Sequence, residues 1–271
     1  MITIGIDPTA FSIGPIHVGW YGIMVTLAVV TIVTWALLAA RKDPKVNYDI
    51  ILNAALVGIP SGVIFSRVLH VIDQWRYYLD NPGKIIGGSG LSIWGAVLGA
   101  ALGLWIYSRF TKRSFGYMAD LLAPGIILSQ AVGRVGCTIL GDDTGKFTSL
   151  PWGVVYTSPN SPTNQAVGLQ ATHPVVGYEI IFNLIAFGVL FMLRKKLRPD
   201  GSLFMVYLSL YSVWRLGGDF LRTGTPFAFG LHQAQVISII ILLVTIPLMI
   251  MKTRWVKKGE AEEAVSEKPA V

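Results

Sequence analysis

The chain has 271 residues, 53% of them hydrophobic and 14% charged, with a formal net charge of +7. Soluble domains carry about 25% charged residues, so this composition, with a mean hydropathy of +0.58, points to an integral membrane protein. The single cysteine, Cys137, excludes an internal disulfide and a cysteine-based metal cluster.

The first segment, MITIGIDPTAFSIGPIHVGW, holds no Lys or Arg. A secretory signal peptide needs a basic start, so none is expected. Asp7, Pro8, Gly14 and Pro15 interrupt any helix there, which predicts an irregular or interfacial arm. Apolar segments follow at Trp20–Ala40, Ile50–Ile72, Leu91–Tyr107, Tyr117–Val132, Val175–Leu193, Leu203–Leu221 and Leu231–Met251. They run to about 16–23 residues, near the length of a transmembrane helix, with the third and fourth short and Gly-rich. The expected fold is an all-α integral membrane protein: a bundle of seven transmembrane helices with an N-terminal interfacial arm and a long outer loop. Residues 1–251 form that domain, and 252–271 form a charged, disordered tail.

Alternate loops are basic. One set holds Arg41, Lys42 and Lys45; Arg109, Lys112 and Arg113; Arg194, Lys195, Lys196 and Arg198; and Lys252, Arg254, Lys257 and Lys258. The other holds only Arg76, Lys84, Arg134, Lys146 and Arg222. The positive-inside rule then sets the N-terminus outside and the C-terminus in the cytoplasm. The positive charge is thus a topology signal and not a nucleic-acid footprint. The outer loop from Arg134 to His173 is the longest, and loops of that length usually serve function or are disordered. Trp152 and Tyr156 are candidate interfacial anchors in it. The sequence shows no internal repeat, which tells against a transporter.

Charged residues stand where lipid is expected. Arg215, Asp219 and Arg222 recur at helical spacing at the end of the sixth apolar segment, near Tyr207, Tyr211 and Trp214. Intramembrane charge is costly and functional by default. Two arginines with one acid leave surplus positive charge, suited to a phosphate, although an internal ion pair that only holds the bundle is the structural alternative. Arg67 follows one apolar run, and Arg134 lies just past another, after Gln130. Asp142 and Asp143 read either as part of a site or as a solvated turn. Glu179, early in the fifth segment, suits a helix N-terminus. It is also placed to orient an arginine or the nearby His173.

These segments together resemble the bacterial prolipoprotein diacylglyceryl transferase family along nearly the whole chain. DPTAFSIGPIHVGWYGIM is similar to the family's lead into its first helix, and GVIFSRVLHV to its G-A-R-L segment. LAPGIILSQAVGRVGC resembles the Q-A-x-G-R-x-G-N signature, and THPVVGYE the H-P-x-Q-L-Y-E motif. LYSVWRLGGDFLR and GLHQAQVIS resemble R-F-x-x-E-F-x-R and G-L-T-x-x-Q-x-x-S. The resemblance implies a multi-pass enzyme of the bacterial inner (plasma) membrane. It implies transfer of the diacylglyceryl group from phosphatidylglycerol to the lipobox cysteine of prolipoprotein signal peptides, with release of glycerol 1-phosphate. No metal or other cofactor is implied.

Carried over onto this chain, the resemblance implies catalytic roles for Tyr21, Arg134, Arg215, Asp219 and His173. Phosphatidylglycerol is expected at Arg134, Arg215, Arg222, Arg67, Gln130 and Glu179. Two positions depart from the pattern. Trp94 stands where the family often has a histidine, and Cys137 where it has asparagine. The proton acceptor is then His173, Asp142 or none, with arginines stabilising the thiolate. A lipid-using transferase with another acceptor and a non-enzymatic carrier of anionic lipid are the competing functions.

Overall fold

A computed structural model describes residues 1–14, 16–41, 47–87, 90, 92–111 and 114–256. The expected disordered tail lies, from residue 257, outside the described residues, as do Lys42, Lys45, Lys112 and Arg113 of the basic loops. The chain divides into two compact units, one of residues 1–34 with 119–271 and one of residues 35–118.

The first unit opens with strands β1 (Ile2–Ile4), β2 (Thr9–Ile13) and β3 (Ile16–Gly19). The segment expected to be irregular is thus largely extended: β2 and β3 form an antiparallel hairpin turned by Gly14 at φ +58°. Helix α1 (Trp20–Ala40) follows and runs into the second unit. That unit holds α2 (Tyr48–Asp73), two short helices α3 (Trp75–Asp80) and α4 (Lys84–Gly87), α5 (Ile93–Thr111) and the start of α6 (Phe115–Leu140).

Within the second unit α2 and α5 pack through small residues. A side chain at Gly95, Gly99 or Gly103 would collide with the backbone or side chains of Phe65, Ser66, Ser61 or Val57. Close backbone approach of this kind is the usual basis of helix pairing in lipid. Ser61 adds a hydrogen bond to the Gly99 carbonyl at 2.7 Å.

The first unit continues with most of α6, strand β4 (Val154–Tyr156), and helices α7 (Pro162–Val167) and α8 (Val175–Leu193). After strand β5 (Leu197–Arg198) come α9 (Ser202–Gly218), a single 3-10 turn at Asp219–Leu221, α10 (Gln233–Lys252) and strand β6 (Arg254–Trp255). Its apolar core joins Ala123 and Ile127 of α6, Ala186 and Leu190 of α8, and Leu203 and Tyr207 of α9. Asp120 of α6 fixes the start of α9 by accepting from the Gly201 and Phe204 N–H groups at 2.8 and 2.7 Å. A carboxylate there satisfies helix-end donors and complements the dipole.

Among the described residues five helices are long and apolar enough to cross a membrane: α1, α2, α6, α8 and α10. The protein is mostly helical, as an all-α membrane protein must be when every backbone group needs an internal partner. The expected segments Leu91–Tyr107 and Leu203–Leu221 are helical as α5 and α9 but are not among those five; Leu91 itself lies outside the described residues.

Helix α6 overruns its expected end at Val132 by two turns, so Arg134 and Cys137 lie inside it. It stops at Gly141, whose φ of +70° and N–H to the Cys137 carbonyl (2.8 Å) close the helix. The long outer loop therefore begins later than expected and is built. β1 pairs in parallel with β4, and Thr172 bridges both Phe147 and Val154. Tyr156 is buried and donates to the Thr138 carbonyl at 2.9 Å, so it is no interfacial anchor. Trp152 is exposed and donates to the Tyr178 hydroxyl at 2.8 Å.

Candidate active site

Three elements of the first unit bring charge together toward the C-terminal end of α6. α6 supplies Arg134, α8 supplies Glu179, and the end of α9 with its 3-10 turn supplies Arg215, Asp219 and Arg222. The loop after α6 adds Asp143. Its register is held by Lys146 N–H to the Leu221 carbonyl (2.8 Å) and Thr223 N–H to the Thr144 carbonyl (3.0 Å). Gly145 lies so close to the His173 backbone that any side chain there would overlap it.

Glu179 is the hub. Its side chain is 0% exposed, yet it meets three arginines. Arg134 Nε donates to Oε1 at 2.9 Å, and Arg222 Nη2 to Oε2 at 2.6 Å. Arg215 Nη1 stands 3.8 Å from Oε2, and the Tyr211 hydroxyl donates to Oε1 at 3.1 Å. A buried carboxylate is tolerated only with this density of donors. Arg215 and Asp219 pair at i, i+4 as the spacing predicts, at 3.2 Å. Arg222 Nε reaches the same Asp219 oxygen at 3.3 Å even though the backbone tightens to a 3-10 turn between them.

Asp143 completes the cluster from the loop after α6. Its Oδ2 accepts from Arg134 Nη1 at 2.8 Å and its Oδ1 lies 2.5 Å from Arg222 Nη1. The surplus positive charge expected from the sixth segment alone is therefore offset: three arginines face Glu179, Asp219 and Asp143.

The structure joins Arg134, Glu179, Arg215, Asp219 and Arg222 directly. Gln130 lies one turn deeper on α6 and donates to the Tyr207 hydroxyl at 2.9 Å. Asn183, one turn deeper on α8, is wholly buried there too. Tyr21 is 40% exposed and within electrostatic range of Arg134 and Asp142. Gly136 keeps α1 close to α6, since a side chain there would press on Met24 and the Tyr21 backbone. His173 is held by its N–H to the Lys146 carbonyl (2.9 Å), and its ring lies 3.4 Å from the Tyr178 hydroxyl.

Arg67 is part of the second unit. There it donates to the carbonyls of Ile85 (2.8 Å), Gly90 (2.7 Å) and Lys84, and its guanidinium lies over the Tyr78 ring. These bonds make it a clasp for the α4–α5 connection. Asp143, read from sequence either as part of a site or as a solvated turn, and Tyr211, noted only as lying near the charged face, complete the cluster. An acidic pair just past the arginine helix and a tyrosine one turn before Arg215 were the available signals.

Asp142 lies beside the cluster without an ion pair among the described residues. It is exposed at the protein surface, yet surrounding protein and then the Asp143 charge raise its pKa above the ordinary carboxylate value of 3.8, with Arg134 opposing them. The Cys137 thiol is within hydrogen-bonding reach of Asp142 and stands 3.7 Å from Arg134 Nη1.

Comparison with known proteins matches the chain to one family. Residues 8–251 fit the model of prolipoprotein diacylglyceryl transferases. The phosphatidylglycerol–prolipoprotein diacylglyceryl transferase of Dehalococcoides mccartyi is 45% identical over 260 residues, covering 96% of this chain and 99% of the relative. Proteins of the same name from Clostridioides difficile and Listeria innocua are each 34% identical, covering 86% and 91% of this chain and 90% of their own lengths. The chain belongs to the prolipoprotein diacylglyceryl transferase family.

Proposed function

We infer that this protein transfers the diacylglyceryl group of phosphatidylglycerol to the cysteine thiol of prolipoproteins, the first covalent step of lipoprotein maturation. The observation that carries the reading is the Glu179-centred arginine cluster in a chain with this family membership. The lipid phosphate starts as a diester with one negative charge and leaves on glycerol as a monoester with two. Donors that meet the second charge bind the transition state better than the ground state and so speed the reaction. Arg134, Arg215 and Arg222 are the proposed donors, with Glu179 and Asp219 holding their forks in place. Tyr21 and Gln130 are proposed to line the lipid's path. The working topology is seven spans in the bacterial inner membrane, with the N-terminal arm and the cluster on the outer side and the C-terminus in the cytoplasm. The acceptor is the lipobox of the signal peptide. Arg67 is proposed to shape its own unit.

For the thiol proton, Asp142 is the better acceptor than His173. It adjoins the arginines and carries no ion pair among the described residues, whereas the His173 ring is engaged with Tyr178. The acceptor works ionised, and its pKa is raised, so transfer rises as pH climbs through that raised value. The acid limb of the rate profile is expected above the usual carboxylate range. Asp142→Asn should lose this limb and slow transfer about a hundredfold or more. The fold is penalised for holding Asp142 charged, so the same change should not lower stability at neutral pH. Rate–pH curves and thermal unfolding of the two proteins check this; an unchanged limb in Asp142→Asn contradicts it.

Complementation tests the acceptor. In a bacterium depleted of its own transferase, this chain should restore growth and lipid-modified lipoproteins. Stable expression without rescue, alongside consumption of phosphatidylglycerol in vitro, would favour an enzyme with a different acceptor.

A further inference from the structure

Asp143 differs from the other two carboxylates of the cluster. Its side chain is 25% exposed, against 0% for Glu179 and 3% for Asp219. It also sits on the loop beyond Gly141, outside any helix, whereas Glu179 is on α8 and Asp219 on the 3-10 turn that ends α9. Most of all, it bridges. One oxygen takes Arg134 Nη1 at 2.8 Å and the other meets Arg222 Nη1 at 2.5 Å. Two anionic oxygens, each on a different guanidinium, are what the two unesterified oxygens of a phosphodiester present.

We propose that Asp143 occupies the phosphate seat between Arg134 and Arg222, and that an incoming phosphate-bearing lipid headgroup takes the seat by displacing it. This rests on the transferase reading for the identity of the lipid. It goes further in making one residue an internal competitor that sets apparent affinity. The charge count fits. Three arginines against Glu179 and Asp219 leave a single positive charge, which matches one phosphodiester. Only a side-chain swing is required, because Thr144 is pinned by its hydroxyl contact with Thr163 at 2.9 Å and by the Thr223 N–H. A weakly basic or zwitterionic headgroup gains less from the exchange, so the competitor also selects for anionic lipid.

The test uses the full-length protein in detergent. The apparent KM for phosphatidylglycerol in mixed micelles and the Kd for glycerol 1-phosphate are measured for wild type, Asp143→Asn and Asp143→Ser. Inorganic phosphate and phosphatidylcholine micelles serve as separate arms, which distinguish a general phosphate seat from a lipid-headgroup site. Both variants should bind phosphatidylglycerol and glycerol 1-phosphate about tenfold more tightly, since a charged competitor has been removed. Without added anion they should melt below wild type, because Arg134 and Arg222 lose a partner, and added glycerol 1-phosphate should raise their midpoints more than that of wild type. Unchanged or weaker binding in the variants overturns the proposal and leaves Asp143 as a strut between α6 and the end of α9. The binding arm needs no turnover. A wild type that binds these anions but releases no glycerol phosphate therefore counts against the transferase reading and leaves the displacement result to stand or fall separately.

Discussion

Glu179→Ala is expected to abolish transfer and to destabilise the packing of α6, α8 and the end of α9. The carboxylate is fully buried and shared by three arginines and Tyr211. Removing it leaves Arg134, Arg215 and Arg222 close together with only Asp219 and Asp143 to balance them. Breaking one side of a buried ionic network costs roughly 3–5 kcal/mol. Glu179→Gln separates charge from shape. It keeps the side chain's shape and one accepting oxygen but turns the other into a donor and removes the negative charge, so it should fold better than the alanine variant yet remain inactive, with its arginines misaligned. Thermal unfolding in detergent beside a transfer assay measures both effects. A Glu179→Gln protein with near wild-type transfer would show that the hub charge does not orient the arginines.

The second large effect is expected at Arg134, and there lysine is the informative substitution. Arg134 uses two edges of one planar group, Nε toward Glu179 and Nη1 toward Asp143. Lysine carries the same charge on a single point and cannot span both. Arg134→Lys should therefore reduce kcat by about 10²–10³, the range seen when one donor to developing charge is lost. Arg134→Ala should fall further. If field strength alone mattered, lysine would restore most of the rate. Single-turnover transfer at saturating lipid separates the outcomes, because an effect confined to KM would mark Arg134 as a binding contact only.

Much of this was legible in the chain. The limits of α1 and α8 follow directly from their apolar runs, which end at Arg41 and begin after Pro174. The pairing of Arg215 with Asp219 follows from helical spacing, and its 3.2 Å distance agrees. Hydropathy misled at α6. Gln130, Gly133, Arg134 and Gly136 read as the end of a span, yet the helix continues because Arg134 finds its counter-charges within the protein. Arg67 reads in sequence like the other intramembrane arginines, and its bonds to the Ile85 and Gly90 carbonyls were not legible there. Glu179 had a local explanation as a helix-start carboxylate beside its reading as a residue that orients an arginine; that it meets three arginines at once was not legible. Asp143 reads as a turn residue because its partner Arg222 is distant in sequence. Contacts closed across such separations depend on how α6, α8 and α9 pack, and no local pattern encodes them.

The central claim is that the arginine cluster drives departure of the phosphate during transfer to a thiol. The most direct measurement mixes purified protein, phosphatidylglycerol and a lipobox cysteine peptide, then quantifies diacylglyceryl peptide by mass and glycerol phosphate in the same sample. Wild type should give one glycerol phosphate per thioether formed, and Arg215→Ala neither product under conditions where lipid still binds. Binding of both lipid and peptide with no glycerol phosphate released, or lipid movement across proteoliposomes without any covalent product, would contradict it.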